Sequence, residues 1–221
     1  MVKLEKKINV VILDFVKTLV EEKLPWDQLR EETSKIFRNY AINLQPNHLR
    51  PIIEQTASQL QFLANLKYSS ETILKIEGEI LAAQQVFEKK YLKLFNPFED
   101  TLPFIKKANM HNLKVGILTN NFSSTVTQVF LRYKIPFHGQ IVGRGDIKYP
   151  KPNSEGLIKL LSKLNANPKE AVVIGDSDFD IDVAKQINTH AIFIKRNAEF
   201  RLSYAKPDQT INSLSDITMD N

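Results

Sequence analysis

The chain has 221 residues, 43% hydrophobic and 25% charged, with a net charge of +5 at neutral pH. That is the balance of an ordinary globular protein, one large domain or a core with an insert; it excludes wholesale disorder and collagen-like repetition. The chain has no cysteine, which also excludes a thiol nucleophile, a thiolate metal site and a disulfide framework. No apolar run approaches the roughly 20 residues that span a bilayer. The run Val10–Leu13 is cut by Asp14 and is too short for a signal sequence. The expectation is a cytoplasmic protein without a membrane partner.

The first predicted element is a strand over Ile8–Leu13, an almost unbroken β-branched and apolar run suited to burial on both faces. From about Pro25 to Phe95 the pattern becomes helical. Trp26, Leu29, Thr33, Ile36, Phe37 and Tyr40 recur at helical spacing. So do Leu49, Ile52, Ile53, Thr56, Leu60 and Leu63, and then Ile73, Ile76, Ile80, Phe87, Tyr91 and Leu94. Three or more helices packed as a bundle are expected there. Helix Phe104–Asn109, strand Lys114–Leu118, helix Ser123–Tyr133 and a weaker strand at Gln140–Val142 follow. Helix Ser154–Leu164, strand Ala171–Ile174, helix Asp180–Ile187 and strand Ala191–Ile194 complete the series.

Strands alternating with helices imply βαβ units and a parallel sheet. The expected architecture is a three-layer, Rossmann-like α/β core of residues 1–18 and 96–221. An α-helical bundle of residues 19–95 is inserted after the first strand as a cap.

Charge is uneven along this plan. Residues 19–95 hold 10 basic and 10 acidic residues, and the remainder holds 20 basic and 15 acidic. The core therefore carries the whole excess. Its lysines and arginines are scattered and not interleaved with aromatics, so a solvated surface is expected and no nucleic-acid partner. His48, His111, His138 and His190 show no metal-ligand spacing.

In open parallel sheets, ligands sit outside the carboxyl ends of the strands. Here those ends carry Asp14, then Thr119-Asn120, then Gly175-Asp176 followed by Asp178, Asp180 and Asp182. A loop before the third of these strands holds Lys148, Lys151 and Pro152. Converging carboxylates raise one another's pKa unless a cation neutralises them, and an all-oxygen site with room for water suits Mg²⁺. Mg²⁺ and a lysine together would hold a phosphate, which a neighbouring carboxylate could attack in line. The acidic residues after Gly175 also suit capping of the following helix, and Asp178 and Asp182 are expected to be capping or surface residues.

Four motifs, in order, resemble those of the haloacid dehalogenase-like hydrolase superfamily: ILDFVKTL, GILTN, KPNSEGL and VIGDSDFDIDVA. The resemblance covers the core. It implies a hydrolase, most often a phosphatase of small phosphorylated molecules, with Asp14 as nucleophile. It implies that Thr119 and the Asn120 amide bind the phosphoryl oxygens and that Lys151 neutralises charge. Asp14, the Val16 carbonyl, Asp176 and Asp180 would hold Mg²⁺ directly or through water.

One position departs from the pattern. Phosphatases of this family usually carry a second Asp two residues after the nucleophile, as the general acid and base. This chain has Val16, and Lys17 stands where a glycine is usual. Loss of a general acid or base typically costs about 10²–10⁴-fold in rate. Two alternatives stay open. One is a catalytically weakened member that binds a phosphorylated ligand or a protein. The other is a phosphonatase-like C–P hydrolase using a cap lysine among Lys23, Lys35, Lys67, Lys75, Lys89, Lys90 and Lys93.

Overall fold

The computed structural model describes residues 2–4, 7–44, 52–197, 199 and 201–219. His48 and Leu49 lie outside these residues. The chain divides into two compact units, one of residues 1–22 and 92–221, the other of residues 23–91.

The larger unit opens with β1 (Val2–Lys3), β2 (Val10–Leu13) and β3 (Val20–Glu22). The smaller unit supplies α1 (Trp26–Asn39), α2 (Ile52–Asn65) and α3 (Ser70–Lys90). The chain then returns through β4 (Phe95–Pro97), α4 (Thr101–Met110), β5 (Lys114–Phe122), α5 (Ser123–Arg132) and β6 (Gln140–Arg144). It ends with α6 (Glu155–Lys163), β7 (Ala171–Gly175), α7 (Asp178–Gln186), β8 (His190–Ile194), β9 (Gln209–Ile211) and β10 (Ile217–Thr218).

Six strands form one parallel sheet in the order β6-β5-β2-β7-β8-β9. The central strand, β2, is wholly buried, which explains why its sequence is continuously apolar instead of alternating. Val10 and Ile12 share a cluster with Leu157, Leu160 and Leu161 of α6 and Ile181 and Ala184 of α7. These two helices cover one face of the sheet. The buried residues of α4 and α5 lie outside that cluster, and both helices pack on β5. Helices α4, α6 and α7 each give way to an asparagine at positive φ: Asn112 (54°), Asn165 (47°) and Asn188 (55°). Asparagine tolerates this left-handed conformation and ends the helix sharply.

In the smaller unit, Phe37 of α1, Leu63 of α2 and Ile76 and Ile80 of α3 form one buried cluster. Trp26 packs on Phe87 at 5.9 Å between ring centroids. Tyr40 Oη donates to Glu79 and Tyr91 Oη to Gln28. Leu94 falls in a short 3₁₀ turn of the larger unit, outside the bundle helices.

The antiparallel pair β3–β4 was not expected from sequence. Its register sets Val20 against Pro97 and Glu22 against Phe95. Strand β5 also runs four residues beyond the predicted Leu118, with a register irregularity against β6 between Leu118 and Phe122.

A buried ion pair ties the turn after β2 to the far end of the sheet. Two nitrogens of Arg196 meet the two oxygens of Asp100 at 2.6 and 2.9 Å. The same guanidinium donates to the Thr18 carbonyl at 2.6 Å and lies 4.2 Å over the Phe98 ring. Asp100 also accepts from Ser213 Oγ and the Leu214 N–H. Burial alone would raise the Asp100 pKa, but these donors and the Arg196 charge together hold it below its ordinary 3.8.

Asp100→Ala therefore leaves Arg196 without its partner and should cost about 3 kcal/mol in urea unfolding. A carboxylate depressed on folding stabilises at neutral pH and loses that contribution as pH falls below the unfolded value, toward the lower folded one. The wild-type advantage over Asp100→Ala should accordingly shrink below about pH 4, as unfolding measured from pH 7 to pH 2 will show.

Candidate active site

The order β5-β2-β7 sets the tips of three adjacent strands side by side. Leu13 pairs with Ile117 on one flank and with Ile174 on the other. Asp14 follows Leu13 directly, and its N–H donates to the Ile174 carbonyl at 2.9 Å. Thr119 and Asp176 stand on the neighbouring tips one residue further on.

Asp14, Asp176 and Asp180 each present a carboxylate oxygen, and the three oxygens lie within 4.8 Å of one another. Lys151 reaches this cluster from the loop before α6. Its Nζ donates to Asp14 Oδ1 and to Asp180 Oδ1, both at 2.5 Å. Lys151 is 5% exposed, Asp14 7% and Asp180 1%. Lys148, the other lysine of that loop, is exposed.

These placements follow from local features. Asp180 is the third residue of α7. Its Oδ2 accepts from the N–H of Ser177 at 3.1 Å and from Ser177 Oγ at 2.6 Å, which leaves Oδ1 for Lys151. One carboxylate thus caps a helix and engages the cluster. Gly175 makes the approach possible: a Cβ there would lie 2.3 Å from the Asp180 Cβ and Cγ. The backbone of Lys151 is clamped by Asn120, whose Oδ1 accepts the Lys151 N–H at 3.0 Å and whose Nδ2 donates to the Lys151 carbonyl at 3.3 Å. Sequence reasoning credited Asn120 with its backbone amide alone; the side-chain clamp carries no local sequence signal.

Thr119 is fully buried, and its Oγ1 accepts the Asn121 N–H at 3.1 Å. Val16 is half-buried and bridges to Val20. Lys17 takes φ 61°, the left-handed region where glycine is at home, with its N–H on the Val20 carbonyl. Asp178 and Asp182 stand apart from the cluster. Asp178 accepts from the N–H groups of Ser203, Tyr204 and Ala205, and Asp182 from Tyr204 Oη. They fasten the 203–205 segment onto α7. The lysines named for a phosphonatase-like reaction, Lys23, Lys35, Lys67, Lys75, Lys89, Lys90 and Lys93, are all exposed, without the apolar setting that would make one a nucleophilic amine.

The electrostatics are those of crowded anions. Burial pushes the Asp14 pKa up to about 6, opposed by the Lys151 charge and raised further by Asp180. Burial, then the charges of Asp14 and Asp180, push Asp176 well above its ordinary value, against lowering by Lys17 and Lys151. Desolvation would lower the Lys151 pKa, but its two carboxylate partners outweigh that and raise it. Two of the three carboxylates thus share one buried ammonium, and Asp176 stands beside them. An all-oxygen donor set short of positive charge fits a hard divalent cation.

A parallel sheet sandwiched between helices, with acidic side chains and a lysine gathered at its carboxyl tips, defines a Rossmann-like α/β core with an acidic site. The chain belongs to the haloacid dehalogenase-like hydrolase family, whose sequence profile matches residues 11–194. Pyrophosphatase PpaX of Bacillus mycoides (strain KBAB4) is 26% identical over 146 residues, spanning 65% of this chain and 68% of that protein. Two solved structures share the fold. The HAD phosphatase from Thermococcus onnurineus has a TM-score of 0.63 at 20% identity, covering 95% of each chain. CbbY from Rhodobacter sphaeroides in complex with phosphate has a TM-score of 0.64 at 15% identity, covering 95% of this chain and 96% of that one. Among the described residues no helix is long and apolar enough to cross a membrane.

Gly175→Ala should force Asp180 away from β7 and break its contact with Lys151. An overpacked core position of this kind costs about 1–3 kcal/mol, read as a lower urea midpoint. The adjacent Ser177→Ala, which removes only one donor to Asp180, should cost less, about 1 kcal/mol.

Proposed function

We propose that this hydrolase is a Mg²⁺-dependent phosphatase that acts on a small phosphorylated molecule through an aspartyl phosphate on Asp14. The observation that carries the reading is the gathering of three carboxylates within 4.8 Å around one buried lysine at the tip of the central strand. The names of its relatives agree with the substrate class: one is a pyrophosphatase, and another was solved with phosphate.

In this reading Asp14, Asp176 and the Val16 carbonyl would hold the ion, and Asp180 would hold a metal-bound water or orient Lys151. When bound, the ion offsets negative charge on nucleophile and phosphate. Asp14 attacks phosphorus in line; its oxygen–phosphorus bond forms as the bond to the leaving oxygen breaks. Water then attacks the aspartyl phosphate, releases inorganic phosphate and restores the carboxylate. The Thr119 hydroxyl and the Asn120 N–H bind the phosphoryl oxygens. Lys151 neutralises charge as it builds, and the Asn120 side chain keeps it in place. The Val16 side chain has no proton to give the leaving oxygen and cannot activate the water, so both steps rely on solvent. Substrates with good leaving groups suffer least from that lack.

Val16 also favours a second reading, in which the pocket binds a phosphorylated ligand without efficient turnover. Phosphate release from a panel of small phosphoesters with Mg²⁺ tests the first. Asp14→Asn should lower release at least about 10³-fold, as loss of a nucleophile does; a panel with no Asp14-dependent release sinks it. Val16→Asp should raise turnover by about 10²–10⁴-fold. No gain from that substitution would show that the missing acid is not what limits the site.

Mg²⁺ should also stabilise the fold, by about 2.7 kcal/mol at a hundredfold excess over its dissociation constant. Asp176→Asn should remove most of that gain in a thermal melt.

A further inference from the structure

We propose that a hollow at the amino ends of the core strands is a second binding site, for a small, multiply charged oxyanion of the phosphate class. A cavity of about 400 Å³ lies there, a volume within the ordinary range for small-molecule sites. Its walls come from where strands begin: Ile8 precedes β2, Lys169 precedes β7, His190 opens β8 and Gln209 opens β9. The strands are parallel, so the Asp14 cluster sits at their other ends. Ile8 and Asp14 are separated by about 20 Å of extended chain at ~3.3 Å per residue. The two sites are distinct.

Four lysines line this hollow: Lys3 and Lys7 from the segment before β2, Lys169 before β7 and Lys185 at the end of α7. Among the described lining residues one carboxylate, Asp208, accompanies them. Its oxygens are already engaged: Lys185 pairs with one, and the Ala191 N–H donates to the other at 2.8 Å, with His190 Nδ1 at 3.4 Å. Among the described lining residues lysines thus outnumber carboxylates four to one. Thr189, 2% exposed, also lines the hollow, and among the described residues its Oγ1 has no hydrogen-bond partner. A buried hydroxyl without a partner is costly, and an oxyanion oxygen is an acceptor for it.

The chemistry of the walls narrows the ligand. Ammonium groups on flexible stems suit a compact tetrahedral anion, which sets no plane for a guanidinium fork to match. No Phe, Tyr or Trp is among the described lining residues, so a nucleotide base or a single-stranded nucleic acid would find no stacking surface on them. Several lysines around one hollow favour an anion with more than one phosphate group over a single carboxylate.

Lysine acetylation footprinting of the full chain, read by mass spectrometry, tests the site with tripolyphosphate and orthophosphate at matched ionic strength. Tripolyphosphate should protect Lys169 and Lys185 against a chloride control. Protection should persist in Asp14→Asn, which separates it from events at the carboxylate cluster, and weaken as salt rises. Orthophosphate protection of the same lysines at higher concentration also supports the site and identifies one phosphate group as sufficient. A Lys3→Ala, Lys169→Ala double variant should melt as wild type without anion and bind tripolyphosphate at least about tenfold more weakly by titration calorimetry, a difference of about 1.4 kcal/mol. Protection confined to Lys151, or equal affinity in the double variant, would overturn the proposal.

Discussion

The arrangement depends on one buried ammonium shared by two carboxylates. Lys151 lies between Asp14 and Asp180 with almost no contact with solvent. Removing these groups from water is expensive, and only close mutual contact offsets the cost. That makes the triad a weak source of net stability and a strict source of position. If any member moves, a buried charge loses its partner. The chain therefore spends local structure on holding each in place: the helix cap at Ser177 for Asp180, the amide clamp of Asn120 for Lys151, and the central strand of the sheet for Asp14.

Asp176 is what keeps the triad from being self-sufficient. Lys151 can satisfy Asp14 and Asp180, but a third carboxylate stands within reach of both, and the charges of Lys17 and Lys151 do not offset its burial and its anionic neighbours. A purely structural ion pair would have no use for the extra anion. A site that takes up a divalent ion would, because such an ion needs more than one carboxylate and carries the positive charge the cluster lacks.

The parts legible in the sequence are those where a local pattern and a buried environment coincide. Runs such as Val10–Leu13 and Ala171–Ile174 announce strands because both faces are covered. Asp14, Thr119 and Asp176 announce themselves by ending such runs. What stayed hidden depends on partners far along the chain. Strands β3 and β4 are three residues each and exist only because they pair across the helical insert. Arg196 meets Asp100 across 96 positions, which no periodicity reveals. Nor does spacing show that Gly175 must lack a side chain so that Asp180 can approach, or that the Asn120 amide is turned to the Lys151 backbone. In α2 and α3 the helical stripe predicted an apolar face, yet Gln55, Gln59 and Gln84 are buried as well. Hydrophobic spacing locates a buried face without excluding polar residues from it.

The turn from Asp14 to Val20 shows how a site can keep its binding geometry while its chemistry changes. Lys17 occupies a left-handed position that costs an ordinary side chain about 1–2 kcal/mol, and the turn holds: the Lys17 N–H meets the Val20 carbonyl, the Leu19 and Val20 N–H groups meet the Phe15 carbonyl, and Arg196 grips the Thr18 carbonyl. These are backbone contacts, indifferent to which side chains sit at positions 16 and 17. A carbonyl offered by residue 16 is equally indifferent. The side chain at 16 is not, since proton transfer needs a titratable group there. In the proposed reaction a valine in place of an acid would forgo about 3–5 kcal/mol of barrier lowering, while anchoring of Asp14, Lys151 and the acidic cluster remains. The expected signature of this chain is phosphate affinity that survives a loss of turnover, most severe where the leaving group most needs a proton.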